Sequence, residues 1–166
     1  MVLGVSLSTF TLLHVIISLA GIGTGFIVVY GLLNSKRLDG WTAIFLTTTV
    51  LTSVTGFMFP FEGLKPSHIL GSMSLMVLAV AIWARYGGHL AGAWRGTYVV
   101  TAVIALYFNC FVAAVQAFAK VPALHALAPT QKEPPFAIAQ LLVLAIFVVL
   151  TYRAAQKFHL TSARTA

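Results

Sequence analysis

The sequence predicts an all-α fold: a polytopic bundle of five transmembrane helices, N-terminus outside and C-terminus in the cytoplasm. Three observations predict it. Of 166 residues, 60% are hydrophobic and 8% charged, where a soluble domain carries about a quarter charged residues. Mean hydropathy is +0.98, and apolar runs of about 20 residues, the length that crosses a bilayer as a helix, recur between charges, glycines and prolines. The ten Lys and Arg against three Asp and Glu also fall unevenly on the two sides those runs define.

The first run, Phe10 to Leu33, has no Lys or Arg before it and exceeds the roughly 7–15 residue core of a signal peptide, so it reads as a retained span. The second, Trp41 to Phe61, is rich in threonine. The third, Ser67 to Tyr86, follows a proline, the fourth covers Thr97 to Val121, and the fifth Pro135 to Tyr152. Short linkers make consecutive helices antiparallel neighbours within a single integral domain spanning 1–166.

Orientation follows from the excess of basic residues on cytoplasmic loops. Lys36, Arg37, Arg85, Arg95, Arg153, Lys157 and Arg164 share one side; Lys65, Lys120 and Lys132 share the other. Tyr30, Trp41, Trp83, Tyr86, Trp94, Tyr98 and Tyr152 gather near the basic boundary, where amphipathic rings favour the headgroup level. The reading places the chain in a bacterial inner membrane, in contact with the lipid bilayer.

Composition excludes several functions. The carboxylates are Asp39, Glu62 and Glu133, too few and too scattered for paired-carboxylate catalysis, and the lone Cys110 rules out an internal disulfide or a CxxC motif. Basic residues come one or two at a time between apolar runs, which argues against a nucleic-acid partner. No charge lies in the middle of a span, which counts against an ion-coupled pump. A carrier of a neutral solute remains open, as does a subunit that relies on charges from another chain.

In lipid, helices associate through small residues and interhelical hydrogen bonds. Gly21 and Gly25 form a GxxxG pair, and the second span holds Thr47, Thr48, Thr49, Thr52, Ser53 and Thr55. These faces serve packing within the bundle, or binding of other membrane subunits or of a second copy.

The remaining polar groups collect in the outer half. His14, Ser18, Gly21 and Gly25 lie on one helical stripe, and His68 and Ser72 begin a similar one on the third span. Small residues beneath an imidazole leave room for a flat macrocycle, and two imidazoles saturate a haem iron and favour electron transfer. Haem b between His14 and His68 is therefore one expectation, with Asn109, Gln116 and Gln140 lining the pocket. A transition-metal site of His14, His68, His125 and Glu62 is another, since imidazole suits copper, zinc or iron. The connector Val121 to Pro134 is expected to cover the outer end with His125 turned inward. His89 and His159, in the basic loop and tail, read as solvated.

The His14 to Gly21 stripe, the TGFMFP end of the second span and the PSHILG start of the third resemble small multi-span bacterial membrane proteins. They are also similar to cytochrome b561-like bundles, whose helices carry histidines as haem ligands. That resemblance implies a redox role for His14 and His68. It extends to one haem at most, because no histidine falls in the inner half of a span. The sequence thus leaves three readings: a haem- or metal-binding electron-transfer protein, a non-enzymatic accessory or assembly subunit, or a small carrier of a neutral solute.

Overall fold

The computed structural model describes residues 4–59 and 66–159. Its order is α1 (Leu7–Leu33), α2 (Asp39–Phe57), α3 (Pro66–Ile82) closed by a π turn (Trp83–Gly87), α4 (Ala93–Lys120), a short α5 (Pro122–Leu127) and α6 (Pro134–Lys157). Four helices are long and apolar enough to cross a membrane: α1, His68–Gly87 across α3 and its π turn, α4 and α6. The expected second span, α2, falls outside that group. Its threonines lower its hydropathy, and it ends at Phe57, before the expected Phe61.

Local chemistry sets the ends. Ser6 caps α1 by accepting the Thr9 N–H at 3.1 Å. At the other end the Asn34 amide donates to the Tyr30 carbonyl at 2.8 Å, and Lys36 N–H closes back on Gly31 O at 2.8 Å. Pro122 and Pro134 open α5 and α6, where a missing N–H costs nothing. Helix α6 continues to Lys157, beyond the expected end at Tyr152.

The long helices alternate in direction. Down the α1–α2 seam, Gly31 meets Leu38, Gly25 meets Phe45, Gly21 meets Thr48 and Thr49, and His14 meets Thr55. Helix α4 packs against α1, α2, α3 and α6 and contributes the buried Tyr98, Val99, Ala102, Val103, Ala105 and Leu106 to the core. The two glycines of the GxxxG pair are consumed here. A Cβ on Gly25 would lie 2.5 Å from Leu106 Cδ1 and 2.9 Å from Phe45, and one on Gly21 would meet Thr48, Thr49 and Asn109. Of the two uses expected for this pair, packing within the bundle is the one seen here, against α2 and α4 of the same chain.

Many of the hydroxyls are satisfied inside their own helices, as an apolar surround requires. Ser18 donates to His14 O, Thr24 to Ala20 O, Thr48 to Ile44 O and Ser72 to His68 O. Among the described residues, every side chain to side chain bond between long helices involves α2. His14 joins it from α1, Ser74 from α3, Asn109 from α4, and Arg85 from the π turn. Helix α2 is the polar spine of the bundle, which explains its threonine content.

Candidate functional site

Polar chemistry concentrates at opposite ends of the bundle, one holding His14 and His68 and the other Arg85. At the histidine end, His14 Nδ1 lies 2.7 Å from Thr55 Oγ1. The Thr55 hydroxyl has one proton, and its other neighbours are the carbonyls of Leu51 at 2.7 Å and Thr52 at 3.2 Å. With that proton given to the Leu51 carbonyl, His14 Nδ1–H is the donor, and in the uncharged ring the lone pair is then on Nε2. The ring stands edge-on to Phe59, centroids 5.2 Å apart.

His68 is half-buried and tilts against Phe57 at 5.8 Å. Phe57 is two residues from Thr55, about 200° around the helix. The last turn of α2 therefore stands between the two histidines, with α1 and α3 each packed on α2. The two imidazoles thus contact different residues of that turn, His14 at Thr55 and His68 at Phe57.

The remaining expected pocket residues disperse. Asn109 is buried and donates to Thr49 Oγ1 at 3.3 Å. Gln140 donates to the Phe111 carbonyl at 3.2 Å, leaving its buried Oε1 without a partner. Gln116 is exposed, so it lines no interior pocket. His125 is exposed on α5 rather than turned inward, because the residue that connector buries is Ala128. Glu62 lies outside the described residues. Among the described residues no three of His, Cys, Asp and Glu gather closely enough to hold a metal ion. Cys110 is half-buried with a free thiol.

The opposite end holds what the sequence did not single out. Arg85 sits in the π turn with its side chain 1% exposed, and a guanidinium cannot shed its proton to escape burial. Its Nη2 donates to Asp39 Oδ1 and, at 3.3 Å, to the Arg37 carbonyl. Its charge also lies 5.1 Å from the Tyr98 ring and 5.7 Å from Tyr86, within cation–π range. Nε and Nη1 have no hydrogen-bond partner, and the buried Tyr98 hydroxyl lies beside Thr42. Arg85 reads in the sequence as one boundary cation among seven. Asp39, the one carboxylate on that side, was the signal that one of them needed a counter-charge.

Beside this centre an apolar groove of about 360 Å³ runs along the outside of α2, between Ala43, Thr47 and Leu51 and the Ile82 and Tyr86 side chains. Thr47 is exposed in it and makes no hydrogen bond among the described residues. Gly40, one helical turn before Ala43, has open space where a Cβ would stand. Compared with protein families, with curated proteins and with solved structures, the chain matches none.

Proposed function

We propose that the chain is a five-span protein of a bacterial inner membrane, N-terminus outside and C-terminus cytoplasmic, acting as a non-enzymatic subunit that docks a membrane-spanning helix on the outer face of α2. Two features support counting α2 as a span. Its 19 residues reach about 28 Å, close to the hydrocarbon thickness of a bilayer. It also runs beside α1 along its length, from the Gly31–Leu38 contact to the His14–Thr55 bond.

The observation that carries the docking role is the free Thr47 hydroxyl on the groove. Elsewhere Thr48 and Thr55 return their protons to their own helix, and a hydroxyl left open beside small residues in lipid is the kind of group that joins helices. The face is Gly40, Ala43 and Thr47, in place of Gly21 and Gly25, which are spent inside the chain. A photo-cross-linking residue at position 47, activated in native membranes, tests it. The expected product is a protein adduct of defined mass that disappears when Ala43→Leu fills the groove; adducts to lipid alone, unchanged by Ala43→Leu, overturn the reading.

One observation favours a second reading, the binding of haem b or a metal for electron transfer. The Thr55 bond fixes His14 in the tautomer with a lone pair on Nε2, the form that ligates a metal. His68 would join it only if the last turn of α2 moved aside. An absorption spectrum of the purified protein, oxidised and reduced, with metal analysis, decides between them: a Soret band lost in His14→Ala establishes the cofactor, and a colourless, metal-free protein removes it.

A further inference from the structure

At the arginine end, α1 and α6 finish side by side, and Ser35 holds them there. Its backbone turns through the left-handed region at φ 55°. Its hydroxyl donates to the Lys157 carbonyl at the end of α6 and accepts the His159 N–H at 3.3 Å. The staple puts Lys36, next in the chain after Ser35, beside Lys157, with Arg153 one turn back along α6 on the same face. All three are exposed, and none takes part in an ion pair among the described residues. The one carboxylate at this end among the described residues, Asp39, is already shared by Arg37 at 3.4 Å and by Arg85.

Cations at helix C-termini commonly answer the partial negative charge of the last carbonyls. Here that explanation falls short. Two helix ends supply roughly half a charge each, about one in all, against three full positive charges, and the Lys157 carbonyl already receives the Ser35 hydroxyl and the His159 N–H. Below the patch the seam is apolar, with Phe26 packed on Phe147, centroids 6.2 Å apart. Tyr30, 59% exposed, follows Phe26 on the same face of α1 at headgroup level.

We infer that this seam is a binding site for an anionic phospholipid, its phosphate held by Lys36, Arg153 and Lys157 and its acyl chain lying against Phe26 and Tyr30. The inference is independent of the α2 groove and of which way the protein faces. Each cation near a lipid surface contributes about 1 kcal/mol, so losing three weakens binding on the order of a hundredfold.

The test exchanges the purified protein into vesicles of phosphatidylcholine containing phosphatidylglycerol and measures the phosphatidylglycerol retained after re-extraction. The expected result is enrichment over the bulk vesicle, lost in Lys36→Gln/Arg153→Gln/Lys157→Gln and kept in Lys120→Gln/Lys132→Gln at the opposite end. Ser35→Ala, which alters no charge, is expected to lower retention by loosening the staple, and it keeps the test decisive if the triple variant folds poorly. Full retention in both the triple variant and Ser35→Ala overturns the site. So does an equal loss in the opposite-end control. Displacement of the lipid by millimolar inorganic phosphate would assign the cluster to a soluble anion and overturn the lipid site as well.

Discussion

The histidine end and the arginine end solve the same problem, polar chemistry inside an apolar bundle, by different means. At the first, neutral groups are absorbed locally: His14 donates to Thr55, and Thr55 returns its own proton to Leu51 O. That relay runs from a ring to a hydroxyl and ends on a carbonyl of helical backbone, and the atoms left unpaired nearby, Thr52 Oγ1 and Gln140 Oε1, are neutral. At the second, a permanent charge on Arg85 needs a carboxylate from another segment, a carbonyl from a loop and two aromatic faces, and still leaves Nε and Nη1 unpaired. A hydroxyl can be buried by its own helix, whereas a charge draws in several segments, which makes the arginine end the more fragile of the two.

The largest expected effect follows from that difference. Asp39→Asn removes the counter-charge of a buried guanidinium, and breaking a buried pair costs about 3–5 kcal/mol. Because Asp39 itself is 69% exposed, the low end, about 3 kcal/mol, is expected. Thermal unfolding in detergent measures it. Arg37→Gln, which touches only the exposed half of the same cluster, is expected to cost under about 1 kcal/mol. If the two substitutions cost the same, the Tyr98 and Tyr86 faces alone stabilise Arg85, and the contrast between the ends collapses.

Glycines sharpen the comparison at a smaller scale. A Cβ on Gly31, at the arginine end, would lie 2.9 Å from the Lys36 carbonyl and 2.6 Å from Leu38 Cδ1. Leu38 is pinned at φ 43°, so neither neighbour yields easily, and Gly31→Ala is expected to cost about 2–3 kcal/mol by overpacking. At the histidine end a Cβ on Gly71 would meet only the rim of the Phe57 ring at 3.0 Å. That side chain is 38% exposed and can swing outward, so Gly71→Ala is expected to cost about 1 kcal/mol or less. Equal losses of unfolding temperature in the two variants would show that the ends are equally rigid.

The same contrast explains what could be read from the sequence. The helices of the histidine end were legible because their signals are local: apolar length, flanking prolines, and the stripe joining His14, Gly21 and Gly25. Their tertiary use was not. The stripe faces α2 and α4 of the same chain, and nothing in the spacing says that the end of α2 meets both His14 and His68. Helix α2 illustrates the limit most clearly, since the threonines that make it the polar spine are what lower its hydropathy. At the arginine end the π turn left no trace in the pattern, so Arg85 read as a surface cation. The short helix Pro122–Leu127 was missed because its length is below what periodicity can register.

The smallest effect concerns Glu133, the described carboxylate of the histidine end, which is managed in solvent as Asp39 is managed by charge. Its Oε1 accepts the Thr130 hydroxyl at 2.8 Å and the Thr130 N–H at 3.2 Å, and Oε2 accepts the Lys132 N–H at 3.0 Å. Desolvation, the largest single influence, would raise its pKa, but the Thr130 hydroxyl and the backbone N–H groups together outweigh it and hold the carboxyl below its ordinary value. A lowered folded-state pKa means the clasp contributes fully above the ordinary carboxylate pKa and is lost as pH falls through the folded one. Amide hydrogen exchange at Thr130 and Lys132 follows it directly: protection is expected to hold through the ordinary carboxylate range and to fail only below it, while Glu133→Gln shows weaker protection without that pH dependence. Loss of protection at or above the ordinary value would mean that the hydrogen bonds do not favour the ionised form, and that a neutral network alone orders the loop before α6.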